Sequence, residues 1–205
     1  MIKAVVFDLS GVIWKRRPFN KDFFLLLSKT VSLHPKTIRA KYRLAVSQLQ
    51  TGKLTLNQWL RSTFSLSRSD IDTFNQNLET LFISHYEKNF YPKSIPLLRL
   101  LRANHITVGC LTNTEGFLAK LLIKAGFFCN FDFKVVSSKV GFRKPNQKIY
   151  RKIFKIGNWK PDQVLYIDDH KANIESVRKL GVHGIKFKSY KKLASQLDIL
   201  IFQKD

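Results

Sequence analysis

Four short polar groups in this sequence have residue types suited to reacting with or binding an anion: Asp8 and Ser10 in VVFDLSGVIW, Thr112 and Asn113 in VGCLTNTE, Lys144 in GFRKPNQKIY, and Asp168 and Asp169 in VLYIDDHKANIESVRKLGV. A carboxylate at the mouth of a buried strand is costly unless something uses it. Asp8 therefore reads as a nucleophile, a metal ligand or an ordinary turn cap. Taken singly, each of the others also has a structural reading. Thr112-Asn113 would cap a helix over 115–126, Asp168-Asp169 would cap one over 171–180, and Lys144 would be one more surface lysine. What joins them is position, since each sits at the end of an apolar run or in the loop after it.

Those runs are the elements that must place the polar groups. IKAVVF (2–7), ITVGCLT (106–112) and QVLYI (163–167) lack long alternation and carry Val, Ile or Tyr, the pattern of strands buried on both faces. FDFKVVS (131–137) and HGIKF (183–187) are weaker strand candidates. Helical patterns separate the runs from 106 onward, such as EGFLAKLLIKAG (115–126), closed by Gly126 at a C-cap position. Alternating strand and helix predict an α/β fold, a Rossmann-like parallel sheet with helices on both faces. In such a sheet ligands bind at the carboxyl ends of the strands, where all four polar groups fall.

The rhythm breaks over residues 15–91. FNKDFFLLLSKTV, KTIRAKYRLAVSQL, TLNQWLRSTF and SDIDTFNQNLETLFISHYEK all favour helix, and no strand separates them. The chain is thus divided into an α/β core, 1–14 and 92–205, and an inserted all-helical segment, 15–91, with hinges near Lys15–Pro18 and Tyr91–Pro92, where proline constrains the backbone. The aromatic and aliphatic residues of FFLLL read as this segment's own core.

Composition bounds the rest. The chain has 205 residues, 44% of them hydrophobic, enough for a substantial core. No apolar stretch reaches the roughly 20 residues of a membrane span, and no exported leader is visible, so a cytoplasmic, soluble protein is expected. Cys110 and Cys129 read as two buried free thiols rather than a disulfide or metal site. The charge is lopsided: 36 Lys+Arg against 14 Asp+Glu give +22, a field that attracts polyanions. From 134 to 160 acidic residues are wholly absent. A proteome-wide composition bias would give the same excess, and no zinc finger, helix-turn-helix or aromatic RNA-binding strand is present to specify a nucleic-acid partner.

In order, spacing and apolar setting, the four polar groups resemble the motifs of the haloacid dehalogenase-like (HAD) hydrolase superfamily, in the branch that inserts a small helical cap after its first motif. The resemblance implies a phosphatase or phosphotransferase in which Asp8 attacks a small phosphorylated substrate. It implies Mg2+ as cofactor, held by the Asp8 carboxylate, the Ser10 main-chain carbonyl and Asp169, with Asp168 as a supporting partner. Lys144 would neutralise charge on Asp8 and the transferring group, Thr112 would hydrogen-bond phosphoryl oxygens, Asn113 would orient the substrate or its loop, and Asn173 would tie the last loop together.

One position departs from the family pattern. Its phosphatases carry a second aspartate two residues after the nucleophile, which protonates the leaving oxygen and later activates water. Here that position is Ser10, whose hydroxyl cannot exchange a proton near neutral pH, and general acid–base catalysis is typically worth about 10²–10⁴-fold. Attenuated turnover follows. Other branches place threonine, a bulky aromatic or alanine there; a dehalogenase would use the same Asp8 without Mg2+, but the twin acids at 168–169 favour a metal. His170 is a candidate substitute proton donor or a plain loop residue. Lys15, Arg16 and Arg17 meet an anionic substrate or face solvent, and Trp14 and Trp59 line a pocket or are buried. The rival reading is a HAD-fold protein of weak or no activity that acts by binding, with nucleic acid or another polyanion on its basic surface.

Overall fold

The computed structural model describes residues 1–202, and the side chains of all these except residues 16–18, 201 and 202. The chain begins with β1 (Ala4–Phe7), followed by α1 (Arg16–Val31), α2 (Pro35–Gln50), α3 (Leu56–Phe64), α4 (Arg68–Tyr86) and α5 (Ser94–Ala103). Next come β2 (Thr107–Thr112), α6 (Gly116–Lys124), β3 (Phe133–Val136), α7 (Ser137–Val140) and α8 (Gln147–Gly157). The order closes with β4 (Val164–Asp168), α9 (Lys171–Arg178), β5 (His183–Lys186) and α10 (Tyr190–Leu197).

The strands form one five-stranded sheet in the order β3-β2-β1-β4-β5. Every pairing is parallel, as apolar strands separated by helices require. β1 lies at the centre and is buried along its whole length. Each sheet face carries its own core. On one, Val5, Phe7, Leu98, Val108, Cys110, Leu118 and Leu122 pack with residues of the span 15–91. On the other, Val6, Leu111 and Tyr166 pack against Ile149, Tyr150 and Ile153 of α8 and Ile174 and Val177 of α9. The change of side between Val5 and Val6 is the period-two alternation of a strand.

The helices α2–α4 start where the sequence supplies caps, whereas α1 begins without a side-chain cap. Pro35 occupies the first turn of α2 while the His34 imidazole accepts the Lys36 N–H. Thr55 with Gln58 and Ser67 with Asp70 form capping boxes on α3 and α4. The inner faces meet through aromatic rings: Phe19 and Phe82 are edge-to-face at 5.8 Å, and Tyr42 and Trp59 at 5.7 Å. The ends of this span are pinned side by side. Trp14 bridges Phe90 in antiparallel sense, the Lys15 N–H donates to the Asn89 carbonyl at 2.7 Å, and the Tyr91 N–H donates to the Ile13 carbonyl at 3.1 Å.

One expectation needs correction. Cys110 is buried, as expected, but Cys129 is exposed; both thiols are free. Cys129 follows Phe127 and Phe128, whose rings fill the core and leave the next residue outside it. A helix also forms at 94–103, α5, despite Pro96: the proline falls in the first turn, where its missing N–H has no partner to lose.

Candidate active site

β1, β2 and β4 end at the same edge of the sheet, and the polar residues that follow them converge there. The Asp8 N–H still donates to the Ile167 carbonyl at 2.8 Å, so the β1–β4 pairing holds the first carboxylate rigidly. The chain then turns sharply, with the Ile13 and Trp14 N–H groups both donating to the Leu9 carbonyl. Gly11 makes the turn possible at φ +89°, and a Cβ there would lie 2.4 Å from Asp169 Oδ2. Absence of a side chain at position 11 is what lets the Asp169 carboxylate close against the first loop.

Lys144 is the centre of charge. Its ammonium lies 2.7 Å from Asp8 Oδ1 and 2.8 Å from Asp168 Oδ2, and it also donates to the Tyr166 hydroxyl at 2.9 Å and the Leu111 carbonyl at 3.3 Å. Asp8, Lys144 and Asp168 are all buried. A cation so deep is stable only because two carboxylates surround it. Burial by itself would depress the Lys144 pKa, yet Asp8 and Asp168 outweigh it and hold the ammonium above its ordinary value.

The three acids differ. Asp168 Oδ2 receives Lys144, the Tyr166 hydroxyl at 2.6 Å and the Asn173 amide at 2.9 Å, while Oδ1 receives the His170 N–H at 2.8 Å. Burial pushes its pKa up, but Lys144 and these donors more than reverse that, and it titrates below the ordinary carboxylate range. Asp8 is pushed by burial up to about 6 against the pull of Lys144. Asp169 is half-buried and also raised, burial again the leading cause. Its Oδ1 is buried without a hydrogen-bond partner among the described residues.

Oxygens of Asp8, Asp168 and Asp169 lie within 4.8 Å of one another, which suits a small hard cation. The donors on Asp168 already occupy both its oxygens, whereas Asp169 keeps an orphaned one. A divalent metal therefore fits best between Asp169 and Asp8, with Asp168 fixing Lys144 beside them. Ser10 is half-exposed on the same turn.

The second and third loops are interlocked. The Asn113 amide donates to the Lys144 carbonyl at 3.0 Å and its Oδ1 accepts the Lys144 N–H at 2.8 Å, so this residue sets the lysine's backbone. The Thr112 and Thr114 hydroxyls share a hydrogen bond at 2.7 Å, and the Thr114 N–H donates to the Ser137 hydroxyl. Neither Thr112 nor Asn113 caps a helix: the N-cap of α6 is Glu115, which makes no side-chain cap hydrogen bond.

Some candidates lie elsewhere. The His170 side chain is largely exposed and stands 3.8 Å from Asp169. Trp14 and Trp59 are buried core residues. Lys15 is exposed with its ammonium 5.3 Å above the Tyr91 ring; the side chains of Arg16 and Arg17 lie outside the described residues.

Sequence reasoning passed over two participants. Tyr166 sits in an apolar strand, but a strand repeats its facing every second residue, so a polar ring two positions before Asp168 was a readable signal. Glu115 is fully buried and accepts hydrogen bonds from the Tyr42 hydroxyl at 2.5 Å and the Gln50 amide at 2.9 Å, both on α2. Nothing in its local sequence marks it, because its partners are more than sixty positions away.

The haloacid dehalogenase-like hydrolase family model matches residues 2–181. Bifunctional epoxide hydrolase 2 of Sus scrofa is 25% identical over 203 residues, 90% of this chain and 36% of that protein. Drimenol cyclase drtB of Aspergillus calidoustus is 32% identical over 206 residues, 96% of this chain and again 36% of that protein. The chain thus spans little more than a third of the length of these relatives. A HAD family enzyme from Bacteroides thetaiotaomicron, solved in complex with magnesium and inorganic phosphate, superposes with a TM-score of 0.71 at 19% identity, over 94% of this chain and 99% of that one. That likeness shows a common fold.

Proposed function

The chain belongs to the haloacid dehalogenase-like hydrolase family, and we propose that it is a Mg2+-dependent phosphatase or phosphotransferase in which Asp8 attacks a small phosphorylated substrate. The observation that carries this reading is the buried Lys144 ammonium held between Asp8 and Asp168, beside an Asp169 oxygen that has no hydrogen-bond partner among the described residues. Magnesium and phosphate bound together in the Bacteroides structure support it.

Attack on a phosphoryl group by a carboxylate brings two anions together, and cations must offset their repulsion. Lys144 supplies one. Asp8, the Ser10 main-chain carbonyl and Asp169 would hold Mg2+, which when bound adds positive charge at the transferring group. Asp168 keeps Lys144 charged and aimed, and Tyr166 and Asn173 keep Asp168 aimed in turn. The Thr112 hydroxyl serves as donor to the phosphoryl oxygens, and Asn113 orients the Lys144 loop. Residues 15–91 act as a cap that selects the substrate.

Ser10 limits the cycle. Without a carboxyl at this position, protonation of the leaving oxygen and activation of water against the aspartyl-phosphate are both slowed, by about 10²–10⁴-fold on the usual scale of general acid–base catalysis. Hydrolysis of an aryl phosphate with Mg2+ or with EDTA, for wild type, Asp8→Asn and Ser10→Asp, tests the proposal. The expected pattern is slow metal-dependent turnover in the wild type, none in Asp8→Asn and faster turnover in Ser10→Asp. Equal rates in Asp8→Asn and wild type, or no activity in correctly folded wild type and Ser10→Asp, would sink it.

A further inference from the structure

Residues 134–160 hold nine of the chain's 36 Lys and Arg residues and none of its 14 Asp and Glu residues. The fold concentrates this excess on α8. At about 3.6 residues per turn, Lys148, Arg151, Lys152 and Lys155 fall within an arc of roughly 100°. That arc lies opposite the buried stripe of Ile149, Tyr150 and Ile153, and all four cations are exposed. Among the described residues none of them pairs with an acid. Helix α9, in the same layer, shows the contrast: Lys171 pairs with Glu175 at 3.4 Å and Arg178 donates to the Gly184 carbonyl. Helix α2 carries as many exposed cations, Lys36, Arg39, Lys41 and Arg43, but they spread over roughly 200° of its surface, whereas the four on α8 are confined to one face.

Its place separates it from the active site. The core beneath α8 contains no residue of the span 15–91, which packs on the opposite face of the sheet. A cationic stripe turned away from that span does not funnel a small substrate into it. A membrane is a poor occupant as well, because the apolar face that a surface helix would insert is already buried against the sheet. What fits is a long polyanion with evenly repeated charge, bound through its backbone.

We propose that the outer face of α8 docks the phosphodiester backbone of a nucleic acid without regard to base sequence. This surface is independent of the phosphatase reading. The test compares binding of a short labelled DNA duplex across a salt series for wild type, for Lys148→Gln/Arg151→Gln/Lys152→Gln/Lys155→Gln, and for a charge-matched control, Lys29→Gln/Lys36→Gln/Lys41→Gln/Arg43→Gln, which removes exposed cations of α1 and α2.

Four lost phosphate contacts should flatten the slope of log K against log salt by about 3–4, at about 0.9 per contact. The control should keep most of the wild-type slope. Circular dichroism and thermal melts verify folding, and the milder Lys152→Gln/Lys155→Gln pair should flatten the slope by about 2. Equal losses in the α8 variant and the control would reduce the effect to net charge and overturn the proposal. So would unchanged binding in the α8 variant, or tighter α8-dependent binding to phosphatidylserine vesicles or polyglutamate than to the duplex.

Discussion

The strand-end cluster and the helices α1–α4 are held together by opposite means. Around Lys144, two carboxylates, a phenol and a carbonyl fix one buried ammonium within 3.3 Å, so each atom's position is set by charge. Among α1–α4 the equivalent job falls to edge-to-face rings such as Phe23 and Phe74 at 6.0 Å, where shape and volume decide. Charge tolerates no vacancy, whereas an apolar interior accepts other residues of similar bulk. The strand-end polar groups thus ride on sheet register, and the helices supply a surface that can be remodelled without disturbing them. Polar contacts between the α/β core and these helices include Glu115 with Tyr42 and Gln50, Lys124 with Glu79, and the Trp14 indole N–H with the Tyr86 carbonyl.

Substitutions at five positions would sharpen or break this contrast. Lys144→Met leaves Asp8 and Asp168 buried without their cation; it should cost about 3–5 kcal/mol in chemical denaturation and abolish turnover. Adding Asp8→Asn to it should restore part of the stability, and failure to do so would show that the cluster is not organised by charge. Phe82→Ala should cost about 3–5 kcal/mol through lost volume alone, since this ring packs against Trp14, Phe19 and Tyr86. The metal dependence of turnover should survive that change, and its loss would mean that packing in α4 sets the site after all.

Gly11→Ala tests the turn between the regions. The added Cβ meets Asp169 at a positive φ, and about 1–3 kcal/mol of stability should be lost, with weaker Mg2+ binding measured by titration calorimetry. Tyr166→Phe is the mildest change. It removes one donor to Asp168 and one acceptor from Lys144, and a loss of about 0.5–1.5 kcal/mol is expected, with turnover reduced but present.

Much of the strand-end cluster was legible because Asp8, Thr112 and Asp168 sit where apolar runs stop, with Lys144 in the loop beyond α7. VVFD and VLYID announce their carboxylates through the residues before them, and parallel pairing brings the two ends together. Less legible was what depends on distant partners. Asn113 was expected at the substrate or its loop; its amide binds the Lys144 backbone, a contact between loops 31 positions apart that no local pattern encodes. The helices of 15–91 were readable as four helix-favouring stretches with no strand between them. Their packing partners were not, because aromatic rings carry no directional sequence signal. Residues 94–103 carried no assignment, and α5 accommodates Pro96 in its first turn.

The antiparallel bridge between Trp14 and Phe90 has a consequence for chain entropy. Once two points of a chain are clamped side by side, lengthening the loop between them is cheap: each doubling adds only about 0.6 kcal/mol of closure cost. The clamp separates the accounts of the two regions, so that insertions or deletions between residues 14 and 90 leave the strand register untouched. Length variation should therefore collect inside the clamp, while the segment that carries Asp8 keeps its length.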